Sequence, residues 1–365
     1  MQTDIPNLAG KAITVRGVID AGALGFTLPH EHLFIDLSTP YDDPARWESS
    51  RFSFPRTEAE REVFHEPFCI CRSSALRDRM FGGNRDALIL NSVSDAIAEV
   101  SDFARSGGGT IVDVTTEDLG RRPLDLVAVS EATGVQIIMG TGYYRKAYHP
   151  SDIGSHSVDQ IAAMMVTDIV SGALGTGIRA GVIGELGAED FAGGSDEVRI
   201  LQAAARASRA TGAPISLHNQ IGCPQKWHSG PDILQDAGAD LNRVIAGHIT
   251  GVQADLVESL IRRGLYAEFD TLGFPFLTHT PQVDTRPNLG TLLELIRRGH
   301  AHRLLLSQDV CTKFHLHKNG GAGYDFVLTD VIPFLVGQGV SREDIDLITR
   351  RNPARIFGFV EPGRV

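Results

Sequence analysis

Short apolar runs recur along the chain with helix-like stretches between them, and this alternation restricts the fold more than any other feature. There are eight such runs: Gly25–Leu28, Thr110–Val114, Gln136–Met139, Ala180–Ile183, Pro214–Leu217, Val244–Ala246, Tyr266–Phe269 and Leu304–Leu306. Amphipathic segments lie between them, among them Asn91–Ser106, Asp159–Gly172, Asp196–Thr211, Ile233–Ala237, Ala254–Arg263 and Leu289–Arg298. From the third run onward successive starts are 22 to 44 positions apart, the room a strand, helix and return occupy. Thr211-Gly212 and Arg263-Gly264 end helical segments in a glycine, as a C-cap requires.

A length of 365 residues allows two domains or one large α/β barrel. No break in composition and no Pro/Gly/Ser linker interrupts the eight units, so the expectation is one (β/α)8 barrel, a TIM barrel, forming a single domain over residues 1–365. A doubly wound sheet is the alternative, but no Gly-x-Gly-x-x-Gly follows the first run. Ahead of the barrel, Ala12–Ile19 and Gly25–Leu28 flank an Asp20-Ala-Gly turn and are expected to pair as a small hairpin. Pro29 holds Leu28 extended, so the strand runs on through His30 and His32. Residues from about 37 to 85 form a long charged insertion on the side where barrel active-site loops sit.

Thirty-four basic against 45 acidic residues leave a net charge of −11, which argues against a nucleic-acid partner. Cys69, Cys71, Cys223 and Cys311 are too few and scattered for a disulfide framework, which points to a reducing compartment; Cys69-Ile-Cys71 reads as structural. The N-terminal residues lack the pattern of a signal peptide, and no run approaches the ~18 apolar residues of a membrane span. A cytoplasmic protein without a membrane partner is the expectation.

His30 and His32 lie two apart on one strand, so both imidazoles project to the same face. In a barrel, the C-terminal strand ends converge on one mouth. Strand four then contributes Glu185, strand five His218, strand six His248 and strand eight Asp309. Strands two, three and seven end in Asp113-Val-Thr-Thr, Gly140-Thr-Gly-Tyr-Tyr and Asp270-Thr-Leu-Gly. Four histidines and two carboxylates at one mouth are a ligand set for a pair of divalent ions.

With these residues in place, the chain resembles the phosphotriesterase family of the amidohydrolase superfamily. The resemblance is carried by Thr14-Val-Arg-Gly17, Gly25-Phe-Thr-Leu-Pro-His-Glu-His32, Gly140-Thr-Gly142, Ala180-Gly-Val-Ile-Gly-Glu-Leu-Gly187, His218, Gly247-His248, Ser307-Gln-Asp309 and Asn352-Pro-Ala-Arg-Ile-Phe357, in the family's order. It implies that His30, His32 and Asp309 hold the more buried metal, and His218 and His248 the more exposed one. A strand-four carboxylate and a water-derived hydroxide bridge the two. Many members use a carbamylated lysine as that bridge; this chain has Glu185, similar to a phosphotriesterase-homology branch. The charge agrees, since two dications against Glu185, Asp309 and hydroxide leave the same single positive charge as with a carbamate. Lys146 reads as a loop residue. Zinc suits the ligands best, with manganese or cobalt close behind.

The implied chemistry is attack by the bridging hydroxide on a small substrate, with Asp309 passing the proton to the leaving group. The aspartate–histidine relay of the efficient organophosphate hydrolases is missing, since Thr271 follows Asp270 and Gly251 lies three past His248. Tyr144 occupies the place of the lactonase tyrosine that bonds the hydroxide, yet Thr271 replaces the lactonase arginine. A lactone or carboxylic ester therefore ranks first, an amide next and a phosphotriester last. A non-catalytic barrel that binds metal or ligand without turnover is the reading from a different class. Arg145, Lys146 and His149 are candidates to receive an anionic group. Trp227, His228, Phe274 and Phe276 are candidate pocket walls, and Asp113, Thr115 and Glu117 candidate supports. Lys313, His315 and His317 fall on the loop after strand eight. A homodimer is the default for such a barrel.

Overall fold

The computed structural model describes residues 5–43, 46, 54–72, 81–249, 251–274 and 285–363. Eight strands, Thr27–Glu31, Thr110–Asp113, Gln136–Thr141, Val182–Ala188, Ile215–Asn219, Val244–Ala246, Tyr266–Phe269 and Leu304–Leu306, pair in sequence order, every neighbour parallel. The fourth and fifth are buried at every position, as expected of a parallel sheet covered on both faces. The first and eighth strands meet to close the ring. The Asp309 N–H donates to the His30 carbonyl at 3.2 Å, and the His30 N–H to Ser307 Oγ at 3.0 Å. Between the two histidines, Glu31 turns to this seam and accepts from Ser307 Oγ at 2.7 Å and from the backbone of Gln308 and Val310 at 2.8 Å each.

Helices wrap the barrel, and their starts follow local chemistry. Ser92, Ser157 and Ser195 each accept a backbone N–H of the first turn, and Gly212, at φ 79°, ends Asp196–Thr211. A helix at Pro123–Thr133 lies between the second and third strands. Its apolar residues are spread around the helix, Leu126 and Val129 inward but Leu124 exposed, so no single stripe marks it.

The N-terminal hairpin differs from expectation. Lys11–Thr14 pairs with Gly17–Asp20, in register Lys11 with Asp20 and Thr14 with Gly17, while Thr27–Glu31 belongs to the barrel. The tight connection is at Val15-Arg16, and residues 21–23 form a separate short turn. The hairpin caps the end opposite the mouth: the Val15 N–H donates to the Ile137 carbonyl, and a Cβ on Gly181 would meet the Ile13 carbonyl oxygen at 2.3 Å. Only glycine allows that approach.

The insertion is rooted by the antiparallel pair Ile35–Asp36 and Ile89–Leu90. Within it a helix, Glu58–His65, is opened by a capping box between Thr57 and Glu60. Its Phe64 packs on Tyr41 at a centroid distance of 4.8 Å. Phe68 packs on Phe314, and Lys313 pairs with Asp86 at 2.6 Å, so the insertion rests on the loop after strand eight. Cys69 and Cys71, read from sequence as a structural pair, are joined in a disulfide, while Cys223 and Cys311 are free. No described helix is long and apolar enough to cross a membrane.

Candidate active site

The six ligand candidates at the strand ends, and Tyr144 beside them, come together at the mouth. His32 Nε2 lies 3.2 Å from Glu185 Oε1 and 3.3 Å from Asp309 Oδ1. His30 Nε2 is 3.4 Å from Glu185 Oε2 and 3.9 Å from Asp309 Oδ1. On the other side His218 Nδ1 is 2.9 Å, and His248 Nε2 3.5 Å, from Glu185 Oε2. Glu185 therefore stands between the strand-one pair and the other two rings. The Tyr144 hydroxyl is 3.5 Å from His218 Nε2. Gly187 makes room for Tyr144, since a Cβ there would meet the Tyr144 carbonyl oxygen at 2.6 Å.

Outer partners set which nitrogen faces the centre. His30 Nδ1 lies 3.0 Å from Glu268, His248 Nδ1 3.0 Å from Asp270 and His32 Nδ1 2.8 Å from Thr115 Oγ1. The two carboxylates accept from Nδ1 of His30 and His248 and so leave the Nε2 lone pairs of those rings aimed inward, while Thr115 holds the orientation of His32. His218 is turned the other way, its Nε2 3.4 Å from Glu189. His248 and Asp309 adopt left-handed backbone, at φ 56° and 50°, a conformation that costs a non-glycine residue roughly 1–3 kcal/mol and gathers at functional sites. In compensation the His248 N–H donates to Asp270 at 2.7 Å.

The electrostatics call for a cation. Lone pairs face carboxylate oxygens around Glu185, and His248 Nε2 lies 2.7 Å from His218 Nδ1, so a proton or a metal has to stand between them. His30 Nε2 is buried without a hydrogen-bond partner among the described residues. Without metal, protons take that role. Burial opposes it, but Glu185 and Asp270 hold His30 well above the usual imidazole value, and Glu185 is itself held well below the usual carboxylate range by His30 and His218 despite its own burial. Burial and the charge of His248 push His218 down to about 4. Among the described residues four groups of ligand atoms lie close enough for one ion each: His30/His32/Glu185, His30/His248/Asp309 and Glu185/His218/His248 around Glu185, and His30/Glu268/Asp270 on the Nδ1 side of His30. Imidazole and carboxylate donors in this number fit divalent transition metals.

The surrounding candidates divide. Thr115 supports His32 directly, and Asp113 fixes the Leu33 N–H at 2.8 Å, whereas Glu117 is exposed beside Arg121. Arg145 is buried and paired with Glu189 at 3.0 Å, Lys146 points outward near Asp190, and His149 Nε2 is 2.9 Å from the Tyr144 carbonyl; this trio does not form an open anion site. Trp227 is buried, its indole N–H on the Gln220 carbonyl, and His228 bonds Ser259 and Arg263. Phe274 packs edge-on against His315, and Phe276 lies outside the described residues. His317 sits among Asp102, Glu99 and Asp325. The residues missed by sequence reasoning are Glu268 and Glu189. Glu268 carried a signal: a carboxylate within Tyr-Ala-Glu-Phe, two before Asp270 and so on the same face.

The comparisons agree with this geometry. The model of the phosphotriesterase family matches residues 10–357. An N-acetyltaurine hydrolase of Bos taurus is 32% identical, over 97% of this chain and 99% of its own length. The structure of a resiniferatoxin-binding protein from Rhodobacter sphaeroides has a TM-score of 0.86 at 32% identity, covering 96% of each chain. A mutant PTE-like lactonase of Deinococcus radiodurans has a TM-score of 0.72 at 30% identity, covering 95% of this chain and all of its own. The match over nearly the full length, in a barrel whose strand ends carry this cluster, makes the chain a member of the phosphotriesterase family and a hydrolase by kinship.

Proposed function

We propose that the protein is a binuclear metal-dependent hydrolase acting on a small N-acyl amide whose amine part is anionic, with one catalytic domain spanning the chain. The observation that carries the metal reading is Glu185, whose two oxygens reach His32 on one side and His218 on the other. His30, His32 and Asp309 would hold one ion, His218 and His248 the other, with Glu185 shared; zinc is the first choice. When bound, the ions supply Lewis acidity, lowering the pKa of a shared water and polarising the substrate carbonyl.

The chain's own groups do the rest. Asp309, beside His32 and partly open to the mouth, accepts the proton of the attacking water and delivers it to the leaving nitrogen. An amide requires that delivery, because an amide anion is too basic to depart alone. The Tyr144 hydroxyl, 3.5 Å from His218 Nε2, would donate to oxygen of the substrate or the attacking water from that side of the mouth. Sequence alone ranks a lactone or carboxylic ester first; the near-full-length likeness to an N-acetyltaurine hydrolase moves the amide ahead. The lactone remains the second reading, favoured by Tyr144 and the similarity to a PTE-like lactonase.

The test is a hydrolysis screen of zinc-loaded protein on N-acetyltaurine, lactones, carboxylic esters and phosphotriesters. Release of taurine supports the reading, and preference for a lactone replaces it with the second. Metal bound without turnover of any substrate would indicate a binding barrel.

A further inference from the structure

The loop after strand eight carries one buried donor that the mechanism leaves unused. His315 is 2% exposed. Its Nδ1 faces the turn Cys311-Thr312 and accepts the Thr312 N–H at 3.1 Å and the Cys311 N–H at 3.3 Å, with Thr312 Oγ1 also at 3.1 Å. A backbone N–H can only donate, so Nδ1 is the bare nitrogen and the proton of the neutral ring sits on Nε2. Burial pushes the ring's pKa down to about 4, against the pull of Asp309, so the ring is neutral near pH 7. Its Nε2 has no hydrogen-bond partner among the described residues.

A buried N–H without an acceptor is costly, and such groups are rare in native proteins. The place of this one points to a ligand. His315 lies six residues past Asp309, on the loop that leaves the barrel mouth after strand eight. Phe274, from the loop after strand seven, covers the ring edge-on at 4.4 Å. The ring is also held still. Lys313 is tied to Asp86, Phe314 to Phe68, and the Gly323 N–H donates to the His315 carbonyl at 2.7 Å. A rigid, neutral, single donor on a loop at the barrel mouth suits recognition of an uncharged or anionic oxygen.

We propose that His315 Nε2–H donates to an acceptor oxygen on the substrate's leaving portion, such as a sulfonate or carboxylate oxygen, and so determines specificity. This rests on the hydrolase reading above. A site built around such a donor discriminates against a substrate that leaves it unpaired.

The experiment compares kcat/KM for N-acetyltaurine with that for N-butylacetamide, which lacks the acceptor, in the zinc-loaded wild type, His315→Phe and His315→Gln. The ratio should fall about 10- to 100-fold in His315→Phe, the range for losing one buried hydrogen bond, mainly through KM. His315→Gln, whose amide can accept from the backbone and still donate, should recover part of it. Metal content should match the wild type in both. A ratio unchanged in His315→Phe, with both substrates losing equally, would show that the ring only fills space. Loss of metal would assign it to the ion site and overturn the proposal as well. If the wild type cleaves neither amide, the amide reading fails separately, and a taurine titration of zinc-loaded enzyme followed by ¹⁵N-histidine NMR decides the matter. A downfield move of the His315 Nε2 proton supports the donor role, and an unmoved resonance overturns it.

Discussion

His30 Nδ1 and a carboxylate oxygen of Glu268 lie 3.0 Å apart, both fully buried, on strands one and seven of the barrel. Glu268 thereby fixes the tautomer of His30 and turns its Nε2 toward Glu185. Burial raises the Glu268 carboxyl to about 7, and the His30 ring pulls against that rise. A partner of this kind acts on the metal through its ligand.

Replacing Glu268 with Gln should therefore weaken zinc binding by about 10- to 100-fold, the usual effect of losing such a partner. Competition with a chromogenic chelator measures it. Turnover at saturating zinc should fall less than affinity does, because Gln can still accept from the ring. Unaltered affinity would mean that His30 is oriented by its packing alone.

The metal-free protein should lose stability as pH rises. Burial disfavours a charged His32, but Asp309 and Glu185 raise it from 6.5 to about 9; burial likewise opposes His248, but Asp270 and Glu185 raise it to about 10. Folded values above unfolded ones give stability that is complete below pH 6.5 and is lost progressively up to pH 9 to 10. Urea midpoints of chelator-treated protein should fall across that window. Those of zinc-loaded protein should not, because ions take the place of the protons. Parallel midpoints in the two forms would remove the proton-for-metal exchange.

Asp309→Asn should separate chemistry from binding. An asparagine cannot take the proton, so kcat should drop about 10²- to 10⁴-fold, the scale of general acid–base catalysis, with KM moving far less. Steady-state kinetics on N-acetyltaurine, with zinc content measured alongside, would show it. A change confined to KM would place Asp309 in substrate binding.

Much of the barrel was legible because a buried parallel strand has little freedom in composition: Val244–Ala246, Tyr266–Phe269 and Leu304–Leu306 begin and end as the apolar runs do. The strand-one pair was legible because strand periodicity alone puts His30 and His32 on one face. Glu31 was not, since its role as the clasp between strands one and eight depends on Ser307, Gln308 and Val310, some 280 positions away. The helix Pro123–Thr133 lacks the one-sided stripe that sequence reasoning uses. The hairpin was misplaced because Gly17–Asp20 is mostly exposed, without an apolar face to set its register. Loop residues such as Arg145 and His228 were hardest, because charge and ring type do not say which way a side chain points.

The most direct test of the account is the metal content of zinc-reloaded protein, wild type against Glu185→Ala, by elemental analysis after gel filtration. A shared Glu185 predicts two zinc ions per chain in the wild type and fewer than one in the variant, with folding checked by circular dichroism. One ion or none in the wild type, or two retained without Glu185, would contradict it.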